Sequence, residues 1–137
     1  SSAASDVYKR QPMDNIYKAF EFCDLDNLKV VAVGQDPYHT KGAAMGVAFG
    51  HLDGVKLQPS LRNIYKAVEK DGFKISTEGG DITKWCKQGV FFINTALTVR
   101  AGEAGSHTTK SKDGPWEYFI RQLFLSLIHI SEPTRPY

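Results

Sequence analysis

Two short apolar runs divide the chain. "KVVAV" (29–33) and "VFFIN" (90–94) are rich in β-branched and aromatic side chains and are apolar at consecutive positions, not at alternate ones. An unbroken apolar run this short fits a strand covered on both faces in a parallel sheet, whereas alternation would mark a strand with one wet face. Around these runs the period changes to that of a helix. Ile16 and Phe20 stand four apart in a short helix predicted over 12–22, and the turn formers of "CDLDNL" follow it. Leu61, Ile64, Tyr65 and Val68 share one helical face, with Ser60 as predicted N-cap and Gly72 as stop. A second short helix is predicted over 81–88, ending at Gly89. Trp116, Phe119, Ile120, Leu123, Phe124, Leu127 and Ile128 form the stripe of a last helix, with Pro115 just inside its start.

Strand, long crossover with helices, strand is the grammar of a βαβ unit. The predicted fold is α/β: a three-layer, doubly wound parallel sheet with helices on both faces, here truncated, because no third apolar strand follows the last helix. Between the first strand and the Ser60 helix, residues 35–54 carry several glycines and little periodicity, and a loop of that length is usually functional or disordered. In open parallel sheets the working residues sit just beyond the carboxyl ends of the strands. Asp36 and Asn94 occupy those two places.

Composition narrows the class. The 137 residues suit one domain, and 42% apolar with 23% charged residues is ordinary for a globular chain and too apolar for a disordered one. No run reaches the ~18 apolar residues of a membrane helix, and the first thirty residues lack a signal-peptide layout, so a cytoplasmic location is expected. Cys23 and Cys86 are isolated thiols, and His39, His51, His107 and His129 show no ligand spacing, which predicts neither a disulfide framework nor a metal site and no cofactor. A net charge of +2 permits an anionic partner without announcing one. Any affinity for DNA must then come from local geometry.

The stretch "GQDPYH" (34–39) sets an acid, a proline, an aromatic ring and a histidine at the point where the first strand stops. Asp-Pro alone reads as a turn opener. Asn94 at the other strand end, Phe49 in the loop and a helix opening at Ser60 change the balance: together they describe a pocket for something flat, polar-edged and attached to phosphate, which a nucleobase in nucleic acid satisfies. These blocks, "GQDPYH", "GVAF" (46–49), "PSLRNIYK" (59–66) and "GVFFINTALTVRAGEAGSH" (89–107), resemble the uracil-DNA glycosylase family in order and approximate spacing, over roughly residues 12–124.

The resemblance implies an enzyme that cleaves the bond between deoxyribose and uracil in single- or double-stranded DNA, releases the base and leaves an abasic site, as a monomer without a cofactor. Asp36 would position or deprotonate the attacking water and stabilise the cationic sugar. Phe49 would stack on the extruded base without choosing among bases. Asn94 would choose, accepting from uracil N3–H and donating to O4, a pattern that cytosine reverses. Tyr38 would be the wall against the methyl group of thymine. Gln35 would help define the base pocket, and His39 and Ser60 would contact the flanking phosphates. His107 would tether a loop, Arg100 would lie at the surface in solvent or in an ion pair, and Trp85 and Trp116 would belong to the core.

Family members continue beyond the last helix into further strands, a Gly-Ser phosphate loop and an "HPSP" type segment carrying a histidine and an apolar wedge, and this sequence has none of these. The ends "SSAASDVYKRQ" (1–11) and "LSLIHISEPTRPY" (125–137) resemble translated adapter sequence and are expected to be non-native tails. A chain of this extent is expected to expose a sheet edge and apolar faces. Two other readings remain open at this point: a non-catalytic module that binds DNA or a base, and a fold relative acting on another damaged base.

Overall fold

The computed structural model describes residues 15–108 and 114–131. The expected amino-terminal tail (1–11) and the end of the expected carboxyl-terminal tail (132–137) lie outside the described residues. The elements run α1 (Lys18–Phe22), a 3-10 turn (Leu25–Asn27), β1 (Val30–Gly34), α2 (Pro59–Lys70), α3 (Thr83–Lys87), β2 (Val90–Asn94) and α4 (Glu117–Ser131). The fold is α/β, and β1 and β2 pair in parallel with Val30 beside Val90 and Gly34 beside Asn94.

The core lies on β2. Phe91, Leu61, Ile93, Cys23 and Cys86 are among its largest fully buried side chains, and α1 and α3 pack against the strand. Trp85 stacks on Phe92 with ring centroids 6.2 Å apart and meets Tyr65 edge-on at 5.7 Å, so it is a core residue. Burial away from polar partners and the nearby Cys23 push the Cys86 thiol up to about 11, which keeps it protonated and inert.

Four sequence expectations need correction. The run of β1 reads as a strand covered on both faces, but Val30 and Val33 are 52% and 49% exposed, because among the described residues the sheet has two strands, in keeping with the expected exposed edge. Ser60 is not an N-cap, since α2 begins one residue earlier, at Pro59, with Gln58 in the capping position. Proline suits the first helical position because its φ is preset and its missing N–H would have no intrahelical partner there. The first helix is shorter than predicted, its regular turn beginning only at Lys18. The last begins two residues after Pro115, at Glu117.

The α4 stripe is half used. Ile120 and Leu127 are buried, whereas Phe119 and Ile128 are exposed. The helix runs without a break past residue 124 to Ser131. No helix among the described residues is long and apolar enough to cross a membrane.

Candidate active site

The parallel register brings the ends of the two strands to one level. Gly34 pairs with Asn94, and the chain continues from Gly34 into Gln35, Asp36, Pro37, Tyr38 and His39. A cavity of about 260 Å³ opens there. Gln35, Asp36, Tyr38, His39, Phe49, Ser60 and Asn94 all line it, so every site residue drawn from the sequence converges on one hollow. Ala48, Ile93 and Leu97 supply its apolar floor.

Asp36, Tyr38 and Ser60 are held in place by hydrogen bonds at their side chains. The Gly105 N–H donates to Asp36 Oδ2 at 2.5 Å, across 69 residues of sequence. That bond fixes the carboxylate from the loop following β2, and a main-chain donor to a charged acceptor is among the stronger hydrogen bonds available. Asn94 is buried, and its position dictates a glycine opposite. A Cβ on residue 34 would stand 2.2 Å from Asn94 Oδ1, so only glycine lets the amide lie across the end of β1.

Tyr38 is anchored at its hydroxyl. Oη donates to the Phe49 carbonyl at 2.6 Å, and with its single proton so used it accepts from the Ser60 hydroxyl at 3.1 Å. Burial pushes the Tyr38 phenol above its usual range, partly offset by the Ser60 bond and one from the Leu61 backbone. Ser60 is therefore occupied at the cavity wall, which its displacement from the capping position makes possible.

Phe49 has φ +69°, a left-handed conformation in a residue that is not glycine. Such a backbone costs roughly 1–3 kcal/mol and persists only where the surroundings enforce it, most often at a functional site. Here the preceding amide, Ala48 N–H, is tied to the Phe92 carbonyl at 3.1 Å, and the Phe49 ring meets Phe92 edge-on at 6.5 Å. The strained turn sets the ring at the cavity wall.

Gln35 works through its main chain. Its carbonyl accepts from Thr95 Oγ1 at 2.8 Å and from the Ala96 N–H at 3.0 Å, pinning the exit of β1 to the exit of β2. His39 is exposed at the rim, and its carbonyl accepts from Gly102 N–H. His107 lies outside the cavity lining and is buried. Its Nδ1 shares a 2.8 Å bond with the Thr98 hydroxyl, which also accepts from Trp116 Nε1 at 2.7 Å, so the histidine tethers its loop to the residues preceding α4. Arg100 pairs with Glu103 at 3.8 Å near the surface.

Gly34, Gly105 and Thr95 are the contributors that sequence reasoning passed over. Gly34 and Thr95 flank the two called positions and sit in the family-like blocks, so a signal was present. Gly105 offers none as a residue type, because its contribution is a backbone N–H. Among the described residues no group of three or more His, Cys, Asp or Glu side chains is placed to hold a metal ion.

The family model described as "Uracil DNA glycosylase superfamily" matches residues 20–130. Uracil-DNA glycosylase of Francisella philomiragia is 53% identical over 107 residues, covering 77% of this chain and 47% of that protein. Its counterpart from Flavobacterium johnsoniae is 45% identical over 106 residues, covering 77% and 46%. The crystal structure of mimivirus uracil-DNA glycosylase superposes with a TM-score of 0.73 at 28% identity, covering 83% of this chain and 42% of that one. A variant of that mimivirus protein is also known in complex with UGI. The chain spans about half the length of the curated relatives it matches. By sequence and by fold, the chain belongs to the uracil-DNA glycosylase superfamily.

Proposed function

We propose that this chain carries the base-recognition and water-activating half of an enzyme that hydrolyses the N-glycosidic bond of deoxyuridine in DNA. The observation that supports it most is the shared cavity of Asp36 and Asn94, one carboxylate and one buried amide delivered by adjacent parallel strand ends. A base inside a duplex cannot reach such a site, so the uridine swings out of the stack to enter it.

In the bound state Asn94 Oδ1 accepts from uracil N3–H, and its amide nitrogen donates to O4. The wrong edge would leave a buried amide unpaired, and sites built this way discriminate by about 10⁴–10⁵. The Phe49 ring lies on the face of the base, and Tyr38 stands where a methyl group at C5 would have to go. The C1′–N1 bond then breaks, with its electron pair leaving on the uracil ring, and the oxygen of water forms the new bond to C1′. Asp36, held by Gly105, orients that water, takes its proton and offsets the positive charge on the sugar. His39, at the rim, and the Ser60 main-chain N–H in the first turn of α2 contact the phosphates on either side of the flipped nucleotide.

The test is a fusion in which the Francisella philomiragia sequence continues this chain beyond the matched region. The fusion is expected to release uracil from an oligonucleotide with a single deoxyuridine, with a chelator present, and to leave an all-thymine strand intact. A folded fusion that binds DNA yet releases no base, or that releases thymine equally well, would contradict the proposal.

A further inference from the structure

His51 is fully buried, with 0% of its surface exposed, and no chemistry described above uses it. An imidazole in the interior is held for a reason, and here both nitrogens are committed. Nδ1 lies 3.1 Å from the Leu52 carbonyl and can only donate to it. Nε2 faces the Gln58 N–H at 3.3 Å and can only accept. The partners thus select the neutral tautomer with its proton on Nδ1. The ring also meets Tyr38 edge-on, with centroids 5.9 Å apart.

These contacts join two parts of the cavity wall. Gln58 is the capping residue of α2, and Ser60, two positions later, bonds to Tyr38 Oη. His51 therefore touches Tyr38 at its ring and, through Gln58 and the first turn of α2, at its hydroxyl. The space for the imidazole is made by Gly80: a Cβ there would lie 2.3 Å from Cγ and Nδ1 of the ring and 2.4 Å from Cδ2. The Gly80 carbonyl in turn accepts from the His51 N–H at 2.9 Å.

We infer that His51 is a specificity-positioning residue, fixing Tyr38 and the start of α2 as one rigid wall so that a base with a methyl group at C5 is refused. The inference rests on the uracil reading of the cavity. With Nε2 removed, the partly buried Gln58 N–H loses its acceptor and the first turn of α2 moves to find another, carrying Ser60 and the Tyr38 hydroxyl with it. The wall then yields to a methyl group that it previously excluded.

The experiment uses the 137-residue chain and two single-stranded oligonucleotides that differ only in one deoxyuridine or thymidine, with affinity for each read by fluorescence anisotropy. The unaltered chain is expected to favour the deoxyuridine strand by about 10-fold or more, the discrimination that one methyl group brings in a fitted pocket. His51→Phe keeps a ring beside Tyr38 but removes the acceptor, and the ratio should fall to within about 2-fold. His51→Gln returns an oxygen acceptor toward Gln58 and should restore most of the preference. A role in stability alone would lower both affinities together and leave their ratio unchanged.

Gly80→Ala, which displaces the imidazole without removing it, provides an independent second variant and should lose the preference in the same way. Retention of the full ratio by folded His51→Phe, or by folded Gly80→Ala, would overturn the inference while leaving the uracil reading intact. Absence of any preference in the unaltered chain would overturn the uracil reading, and the role of His51 with it.

Discussion

The loop from Ala43 to His51 and the strand β1 invert the usual relation between loops and sheets. The loop has only an isolated bridge between Ala44 and His51, yet Ala43, Ala44, Met45, Val47, Ala48 and His51 are all buried. The strand has a regular ladder to β2 on one side and leaves Val30 and Val33 half in water on the other. The difference is one of packing partners. The loop is enclosed by α1, the residues around Gly80 and the strand ends, and its backbone is bonded to Ala19, Phe92 and Gly80: Ala19 N–H to Gly46 O at 3.0 Å, Ala48 N–H to Phe92 O at 3.1 Å and His51 N–H to Gly80 O at 2.9 Å. On β1, Val30 and Val33 stay half exposed, and on α4 Tyr118, Leu125 and Ile130 are exposed. The cavity draws on both regions: residues 44 and 46–50 come from the enclosed loop, and residues 34–39 continue from the end of β1.

The comparison is broken hardest at the carboxylate. Asp36→Asn in the completed fusion should reduce uracil release by about 10²–10⁴-fold, the usual contribution of a positioned acid or base, while affinity for the oligonucleotide stays close to that of the parent. Near-parental turnover would remove Asp36 from the chemistry. Next is Gly34→Ala, whose added Cβ collides with Asn94 Oδ1. Displacement of the amide by about an ångström should cost about 10²-fold in kcat/KM, with the melting temperature far less affected than the rate.

Phe49 separates function from backbone strain. Phe49→Ala and Phe49→Gly should both weaken binding of a deoxyuridine strand by about 1–3 kcal/mol through loss of stacking. The glycine variant should nevertheless be the more stable of the two by about 1 kcal/mol in urea denaturation, because residue 49 sits at φ +69°. Equal stabilities would mean that the turn relaxes once the ring is gone.

Of these features, the strand ends were the most legible. An apolar run followed at once by "GQDPYH" or ending in Asn94 places polar groups where a parallel sheet opens. The Ser60 reading failed because serine and Pro59 both signal a helix start and the proline wins by one residue. The valines of β1 look the same whether or not a neighbour covers them, so their exposure was legible only from the lack of further apolar runs and not from the run itself. His51 carried no local signal at all: its burial depends on a missing side chain at Gly80, far along the chain. Periodicity likewise says nothing of the 43–51 loop, which packs through small residues and not along a stripe.

Two smaller effects sharpen the contrast between the enclosed and open regions. Asp81 accepts from the Thr83 hydroxyl and the Thr83 N–H, and these bonds hold its carboxyl below the usual range. A depressed folded value contributes stability above the unfolded carboxylate value, about 3.9, and that contribution is lost as the pH falls through the lower folded value. The stability gap between the parent and Asp81→Asn, followed by urea denaturation, should therefore be constant at neutral pH and close below about pH 4. On the open edge, Val33→Lys should change unfolding free energy by no more than about 0.5 kcal/mol while suppressing concentration-dependent light scattering. A large loss of stability there would show that the edge is covered in solution.

The most direct test of the central claim is a titration of the ¹⁵N-labelled chain with free uracil. If Asp36 and Asn94 face one cavity, the Asn94 side-chain amide and the Gly105 N–H that binds Asp36 should shift together with a single dissociation constant, and thymine should move neither. Uracil that shifts one of these signals without the other, or thymine that reproduces both shifts, would contradict the account.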